Sequence, residues 1–340
     1  MSPKNPIGTR SGRSLPGATP RLIRGVAPRA ATPCVLTIGA FDGLHVGHRT
    51  LIARALQRAG ELDLPAGLLS FEPMPREVLQ PQSPPARLTS FRERWRLLAG
   101  SGLERLHLLA FNERLRAMSG LQFMDVMRSL GARAVVVGHD FRFGHKGEAS
   151  AEWCASEARN FGFGVDILEP VLVAGERVSS GLVRAALEAG ELVRAAQLLG
   201  RPYTMRARVR RGERLGRTLG FPTANMAIHR RRSPLAGIFA VLVRGAALAG
   251  ADADAGAGTA AGRRGWPAVA SLGTRPTVNG VEPLLEVHLF DFTGDLYGAE
   301  LEVEFVARLR EELRFESLEA MVAQMHLDAA AARAALAPLV

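Results

Sequence analysis

The stretch Thr37-Ile38-Gly39-Ala40-Phe41-Asp42-Gly43-Leu44-His45-Val46-Gly47-His48 constrains the fold of this 340-residue chain more than any other. The apolar run from Cys34 to Ile38 reads as a buried strand that stops at a glycine, and two histidines follow at the start of a helical segment over residues 49–60. Gly39 and Gly43 allow a tight backbone turn, and Gly47 lets a ligand approach the first helical turn. Strand, glycine turn and helix N-terminus in that order have the shape of a phosphate site, where His45 and His48 can donate hydrogen bonds to anionic oxygens and need not act as bases. Two histidines three apart also suit zinc, but Cys34 and Cys154 are isolated, with no metal-like spacing. Ordinary turn and cap residues would explain a lone glycine or histidine here more easily than the whole set.

The length suggests about two domains, and a hydrophobic content of 47% is ample for two cores. No apolar run approaches the roughly 20 residues of a membrane helix, and the N-terminus lacks the apolar core of a secretory signal. Two separated cysteines fit a reducing cytoplasm. The net charge of +10 invites a nucleic-acid reading, but only Lys4 and Lys146 are lysines among 43 basic residues, and Arg and Ala abound together, as a GC-rich coding bias produces. Neither a nucleic acid nor a membrane is expected as a partner. Part of the arginine content suits phosphorylated ligands, which the guanidinium fork binds bidentately.

Residues 1–19 lack periodicity and are expected to be a disordered extension. A first domain over 20–199 alternates strands (21–26, 66–71, 105–109, 134–137) with helices (near 91–98 and from Ser119, where Gln122 completes a capping box). That alternation predicts an α/β domain, a doubly wound parallel sheet with its ligands beyond the carboxyl ends of the strands. From residue 200 the pattern becomes strand-rich, at 203–211, 238–243, 268–272, 284–292 and 301–308, and predicts a small β-barrel over 200–340. A last helix is expected from Ser317, with Leu318, Met321, Val322 and Met325 on one face. Residues 246–265 are Ala/Gly/Asp-rich and read as a mobile hairpin insertion. Their Gly256-x-Gly258-x-x-Ala261 lacks the flanking strand and helix that give the dinucleotide fingerprint meaning, and no Walker A loop is present.

The motif Gly39, Phe41, Asp42, Gly43, His45, Gly47, His48 resembles the signature of bacterial bifunctional riboflavin kinase/FMN adenylyltransferases (FAD synthetases), and its HxGH core is shared by many nucleotidyltransferases. Two further segments are similar to the same family: Gly138-His139-Asp140-Phe141-Arg142-Phe143-Gly144, and Val178-Ser179-Ser180-Gly181-Leu182-Val183-Arg184. The resemblance implies that Gly39, Phe41, His45, Gly47, His48, Asp140, Ser179, Ser180 and Arg184 bind the nucleotide of an adenylyl transfer, with His45 and His48 in catalysis. Ala40, Met74 and Gly181 stand where the family more often has Asn, His and Thr.

In the second half, Gly216-Arg217-Thr218-Leu219-Gly220-Phe221-Pro222-Thr223-Ala224-Asn225 resembles the flavokinase motif. By that resemblance Gly216, Gly220, Thr223 and Asn225 hold ATP, and the neutral oxygens of Thr223 and Asn225 suit Mg²⁺. The stretches around Pro234, Gly273 and Glu286 continue it, with Ser271 and Val278 as departures from Asn and Phe. Strand alternation puts Glu286 and His288 on one face, and the resemblance makes Glu286 the candidate base for the riboflavin hydroxyl. The implied substrates are ATP, riboflavin and FMN, with flavins as substrates and products and Mg²⁺ accompanying ATP. Two other readings share parts of the sequence: an adenylyltransferase for another acceptor fused to a degenerate barrel, and an RNA-binding face of Arg206, Arg208, Arg210, Arg211 and Arg214. The second lacks aromatics interleaved with its arginines for base stacking.

Overall fold

A computed structural model describes residues 19–26, 32–212, 216, 219–228, 230–248, 265–277 and 280–339. The extension at 1–18 and residues 249–264 of the expected insertion lie outside the described residues. The chain divides into two compact units. The first is Met1–Gln82 with Arg94–Val171, and the second is Ser83–Glu93 with Leu172–Val340.

In the first unit the strands are β1 (Arg21–Arg24), β2 (Cys34–Ile38), β3 (Ala66–Phe71), β4 (Arg105–Leu109), β5 (Ala132–Gly138), the short pair β6 (Arg142–Phe143) and β7 (Ala149–Ser150), and β8 (Gly164–Leu168). Its helices are α1 (Val46–Leu62), α2 (Pro75–Leu79), α4 (Glu113–Arg116), α5 (Gly120–Ser129) and α6 (Ala151–Glu157), while α3 (Phe91–Leu97) is divided between the units after Glu93. Six strands form one sheet in the order β1-β4-β3-β2-β5-β8, every neighbouring pair parallel. All residues of β2 and β3 are buried, as the continuous apolar runs of a doubly covered parallel sheet require. From β2 the chain proceeds to β3 and β4 on one side and returns to β5 on the other. The carboxyl ends of β2 and β5 therefore flank a topological switch point, the crevice where such sheets bind ligands.

Helix α1 begins at Val46, with His45 as its N-cap, one turn earlier than the periodicity suggests. His48 thus sits inside the first turn. The expected capping box of Ser119 and Gln122 is present at the start of α5.

The second unit contains the hairpin β9 (Leu172–Val173) and β10 (Glu176–Arg177), helices α7 (Ser180–Glu188) and α8 (Leu192–Leu199), and six longer strands. These are β11 (Thr204–Arg210), β12 (Ala224–Ala227), β13 (Gly237–Arg244), β14 (Trp266–Thr277), β15 (Gly280–Leu289) and β16 (Glu300–Arg310), and they close in the order β11-β12-β15-β14-β13-β16. Closure removes the free edges of the sheet, and register shifts between β13 and β16 supply local bends. β12 falls outside the runs that periodicity picks out, because only four residues pair there and their alternation is short.

The compact units divide near residue 171, and the barrel unit includes Ser83–Glu93. A buried polar network explains that inclusion. Glu93 accepts hydrogen bonds from the Arg206 amide (2.7 Å), the Ser90 amide (2.6 Å) and Arg230 (2.5 Å), and Arg230 donates to Tyr203, whose hydroxyl donates to the Leu88 carbonyl. The Glu93 carboxyl is held below the usual carboxylate range, burial opposing the Arg230 charge and backbone donors that lower it.

The last helix, α9 (Leu318–Leu336), starts as expected, with the Ser317 hydroxyl accepting from the Ala320 amide. Its packed face is not the expected one. Asp328, Ala332 and Leu336 are buried, whereas Met321, Val322 and Met325 are half-buried and Leu318 is 49% exposed. Small alanines let the later turns approach Ala240, Leu242 and Phe290, and Arg310 neutralises buried Asp328 through contacts of 2.8 and 2.6 Å.

Candidate active sites

The loop after β2 is built around a buried aromatic. Phe41 is fully buried at φ +52°, Gly43 follows at φ +82° and Leu44 at φ +44°. Two non-glycine residues with positive φ in four is the kind of backbone strain that persists only where the surroundings enforce it. A side chain at position 39 would put its Cβ 3.3 Å from the Phe41 ring, so Gly39 makes room for that ring. His45 Nδ1 accepts the His48 amide at 3.3 Å, which places the proton of neutral His45 on Nε2. The two imidazoles stack with centroids 3.6 Å apart and planes 17° from parallel. Gly47 preserves this arrangement, because a Cβ there would lie 3.2 Å from His45 Nδ1. His48 Nδ1 is buried with no hydrogen-bond partner among the described residues. Burial, then the neighbouring His45, then Arg94 push the His48 pKa well below the ordinary imidazole value.

Arg94 is the residue that sequence reading missed. Its side chain is 1% exposed, donates to the Ala40 carbonyl at 2.8 Å and pairs with Glu72 at 3.0 Å. The Ser70 hydroxyl also donates to that carbonyl. The loop is therefore held through the main chain of Ala40, whatever its side chain. In Phe91-Arg92-Glu93-Arg94-Trp95-Arg96-Leu97 three alternating arginines look like a solvated helix face, so composition gives no sign of which one is buried. Met74, the other departure in this region, is buried at the N-cap of α2.

At the end of β5, adjacent to β2 in the sheet, Gly138 turns the chain into exposed Asp140, and a Cβ at 138 would sit 3.1 Å from the Asp140 carboxylate. Phe143 packs into the core with Phe123 and Trp153, and Phe141 stacks on it at 5.2 Å. In the second unit Ser179, not Ser180, caps α7, its hydroxyl accepting from the Leu182 amide, and Ser180 is the first helical residue. Arg184 donates from Nε to the Ala86 carbonyl at 2.6 Å.

The barrel assembles the expected kinase residues around one turn. The Gly216 carbonyl accepts from the Leu219 and Phe221 amides, and Gly220 supplies φ +82°. Any side chain on Gly216 would collide with the Phe221 carbonyl and approach Thr223 Oγ1 to 3.4 Å, so Gly216 and Thr223 are immediate neighbours. Asn225 pairs with Glu286 across β12 and β15, and Glu286 pairs with Ser271 across β15 and β14. Leu285, Val287 and Leu289 are buried in the barrel, whereas Glu286 and His288 are only half-buried and share the other face. Gly212 leaves space that Asn225 fills, since a Cβ there would come within 2.5 Å of its amide.

A parallel sheet with histidines at its switch point, and a closed barrel with a glycine turn, are an architecture suited to nucleotidyl and phosphoryl transfer. Residues 27–182 match the FAD synthetase family model and residues 199–336 the riboflavin kinase model. A bifunctional riboflavin kinase/FMN adenylyltransferase from Pseudomonas fluorescens is 44% identical over 90% of this chain and 94% of its own, and that from Escherichia coli K12 is 38% identical over 92% and 97%. The crystal structure of a protein described as a macrolide-efflux protein from Streptococcus pneumoniae has a TM-score of 0.73 at 29% identity, covering 92% of this chain and 98% of that one. The chain belongs to the bifunctional riboflavin kinase/FMN adenylyltransferase family.

Proposed function

We propose that the chain phosphorylates riboflavin to FMN and adenylylates FMN to FAD, each with ATP, the kinase chemistry falling in 200–340 and the adenylyl transfer relying on residues of 20–199. The observation that carries this reading is the pairing of Asn225 with Glu286, beside the turn that joins Gly216 to Thr223. Glu286 takes the proton of the riboflavin 5′-hydroxyl as its oxygen attacks the γ-phosphorus, and ADP leaves. Gly216, Gly220, Thr223 and Asn225 seat the nucleotide. Thr223 and Asn225 offer neutral oxygens of the type that a hard cation prefers, and Mg²⁺ bound there would offset phosphate charge. Among the described residues no cluster of three His, Cys, Asp or Glu could hold a metal.

For adenylyl transfer, an FMN phosphate oxygen attacks the α-phosphorus of ATP and the bond to pyrophosphate breaks, without a covalent enzyme intermediate. His45 Nε2–H and His48 donate to phosphate oxygens, and Gly39, Phe41 and Gly47 keep the loop in the shape that aims them. Asp140, Ser179, Ser180 and Arg184 contribute further nucleotide contacts. Among the described residues no helix is long and apolar enough to cross a membrane. Incubating the purified chain with riboflavin, ATP and Mg²⁺ and separating the flavins tests the proposal. FMN followed by FAD is expected, and a chain that forms neither would refute it.

A further inference from the structure

The reading of the barrel as the kinase leaves open what holds Thr223 and Asn225 against Glu286, and this inference rests on that reading. We propose that His288 is a positioning residue for riboflavin phosphorylation, its Nδ1–H clamping the Pro222 carbonyl and thereby fixing the backbone that leads into Thr223. The Nδ1 to oxygen distance is 2.9 Å, and a carbonyl only accepts, so the imidazole is the donor. The strand register supports the placement. Asn225 pairs with Glu286 and Ala224 with Val287, so His288 stands opposite the residue just before the last paired position, where ladder bonds end and the nucleotide turn begins.

The clamp acts on a residue that offers the main chain no donor of its own. Proline has no N–H, so the Pro222 carbonyl is its single main-chain polar group. One residue earlier, the Phe221 amide is already committed to the Gly216 carbonyl at 2.8 Å. The turn is therefore tied back on itself at Phe221 and out to β15 at Pro222. The Phe221 ring, 5% exposed, is wedged edge-on between the imidazoles of His288 (5.1 Å) and His326 on α9 (4.8 Å). His288 thus contributes both a donor and a wall, and it lies two residues from the proposed base on the same strand face.

The two contributions separate by substitution in the full chain. His288→Asn keeps a donor near the Nδ1 position, whereas His288→Leu keeps bulk and removes the donor. The structure predicts that the Leu variant raises KM for ATP in riboflavin phosphorylation about tenfold, the effect of losing one well-placed hydrogen bond, while the Asn variant stays within about threefold of wild type. Adenylylation of supplied FMN should be unchanged in both. A Leu variant that matches wild type, or Asn and Leu variants that fall equally, would overturn the clamp. A wild-type chain that forms FAD from FMN but no FMN from riboflavin would instead remove the kinase reading itself. Should the Leu variant not fold, nitrogen-15 NMR of the wild-type protein decides: neutral His288 protonated at Nδ1 supports the clamp, and protonation at Nε2 contradicts it.

Discussion

His45 Nδ1 accepts the amide of His48 at 3.3 Å while the two rings stack at 3.6 Å, so the first histidine caps the helix that carries the second. The cap fixes the tautomer of His45 and puts its ring proton on Nε2. His48→Ala removes a phosphate donor and one ring of the stack but leaves the cap, the residue-48 amide donating to the His45 Nδ1, intact. FAD formation should fall by about two to three orders of magnitude, as for loss of one preorganised donor, and FMN should accumulate from riboflavin. Chromatography of the flavins checks this, and loss of both products from a folded variant would contradict a separate origin of the two activities.

Arg94 acts on the same loop from beneath. Arg94→Met removes the donor to the Ala40 carbonyl and the guanidinium beside Glu72, a carboxylate that is partly exposed. Adenylyl transfer should drop at least tenfold, while riboflavin phosphorylation continues at the wild-type rate. Equal rates of FAD formation in the two proteins would show that Ser70 suffices to hold the carbonyl.

His107 gives the first unit a pH dependence unrelated to catalysis. Its ring is 2% exposed in β4, neither nitrogen has a hydrogen-bond partner among the described residues, and burial, then the charge of Arg105, lower its pKa from 6.5 to about 4. A base with a depressed folded pKa stabilises fully above its unfolded value, and that contribution is lost as pH falls from 6.5 to about 4. The loss amounts to about 3 kcal/mol at most. His107→Leu should flatten the fall in melting temperature between those pH values and raise it at neutral pH, because two unsatisfied nitrogens leave the core. Thermal unfolding across pH measures both effects, and an unchanged pH profile would show that His107 is not the titrating group.

The elements legible in the sequence were those whose periodicity and punctuation agree. β3 and β4 occupy the expected residues, and Ser119 and Ser317 cap the helices they were expected to cap. What stayed hidden depends on distant partners. The burial of Arg94 needs Ala40 and Glu72, the inclusion of Ser83–Glu93 in the barrel unit needs Arg230 and Tyr203, and the packed face of α9 is chosen by Arg310 through Asp328. The neighbourhood of Asn225 and Glu286 is a matter of strand register, which no local pattern encodes. Only the resemblance assigns both residues to one site.

The assignment of Glu286 as base is tested most directly by assaying Glu286→Gln with riboflavin and, separately, with FMN. Glutamine keeps the shape and some of the hydrogen bonding but accepts no proton. Riboflavin phosphorylation should fall by roughly two to four orders of magnitude with riboflavin affinity changed far less, and FAD formation from supplied FMN should persist at the wild-type rate. Near-normal phosphorylation by the Gln variant across pH would contradict the account and leave Glu286 as a strand residue that orients the flavin.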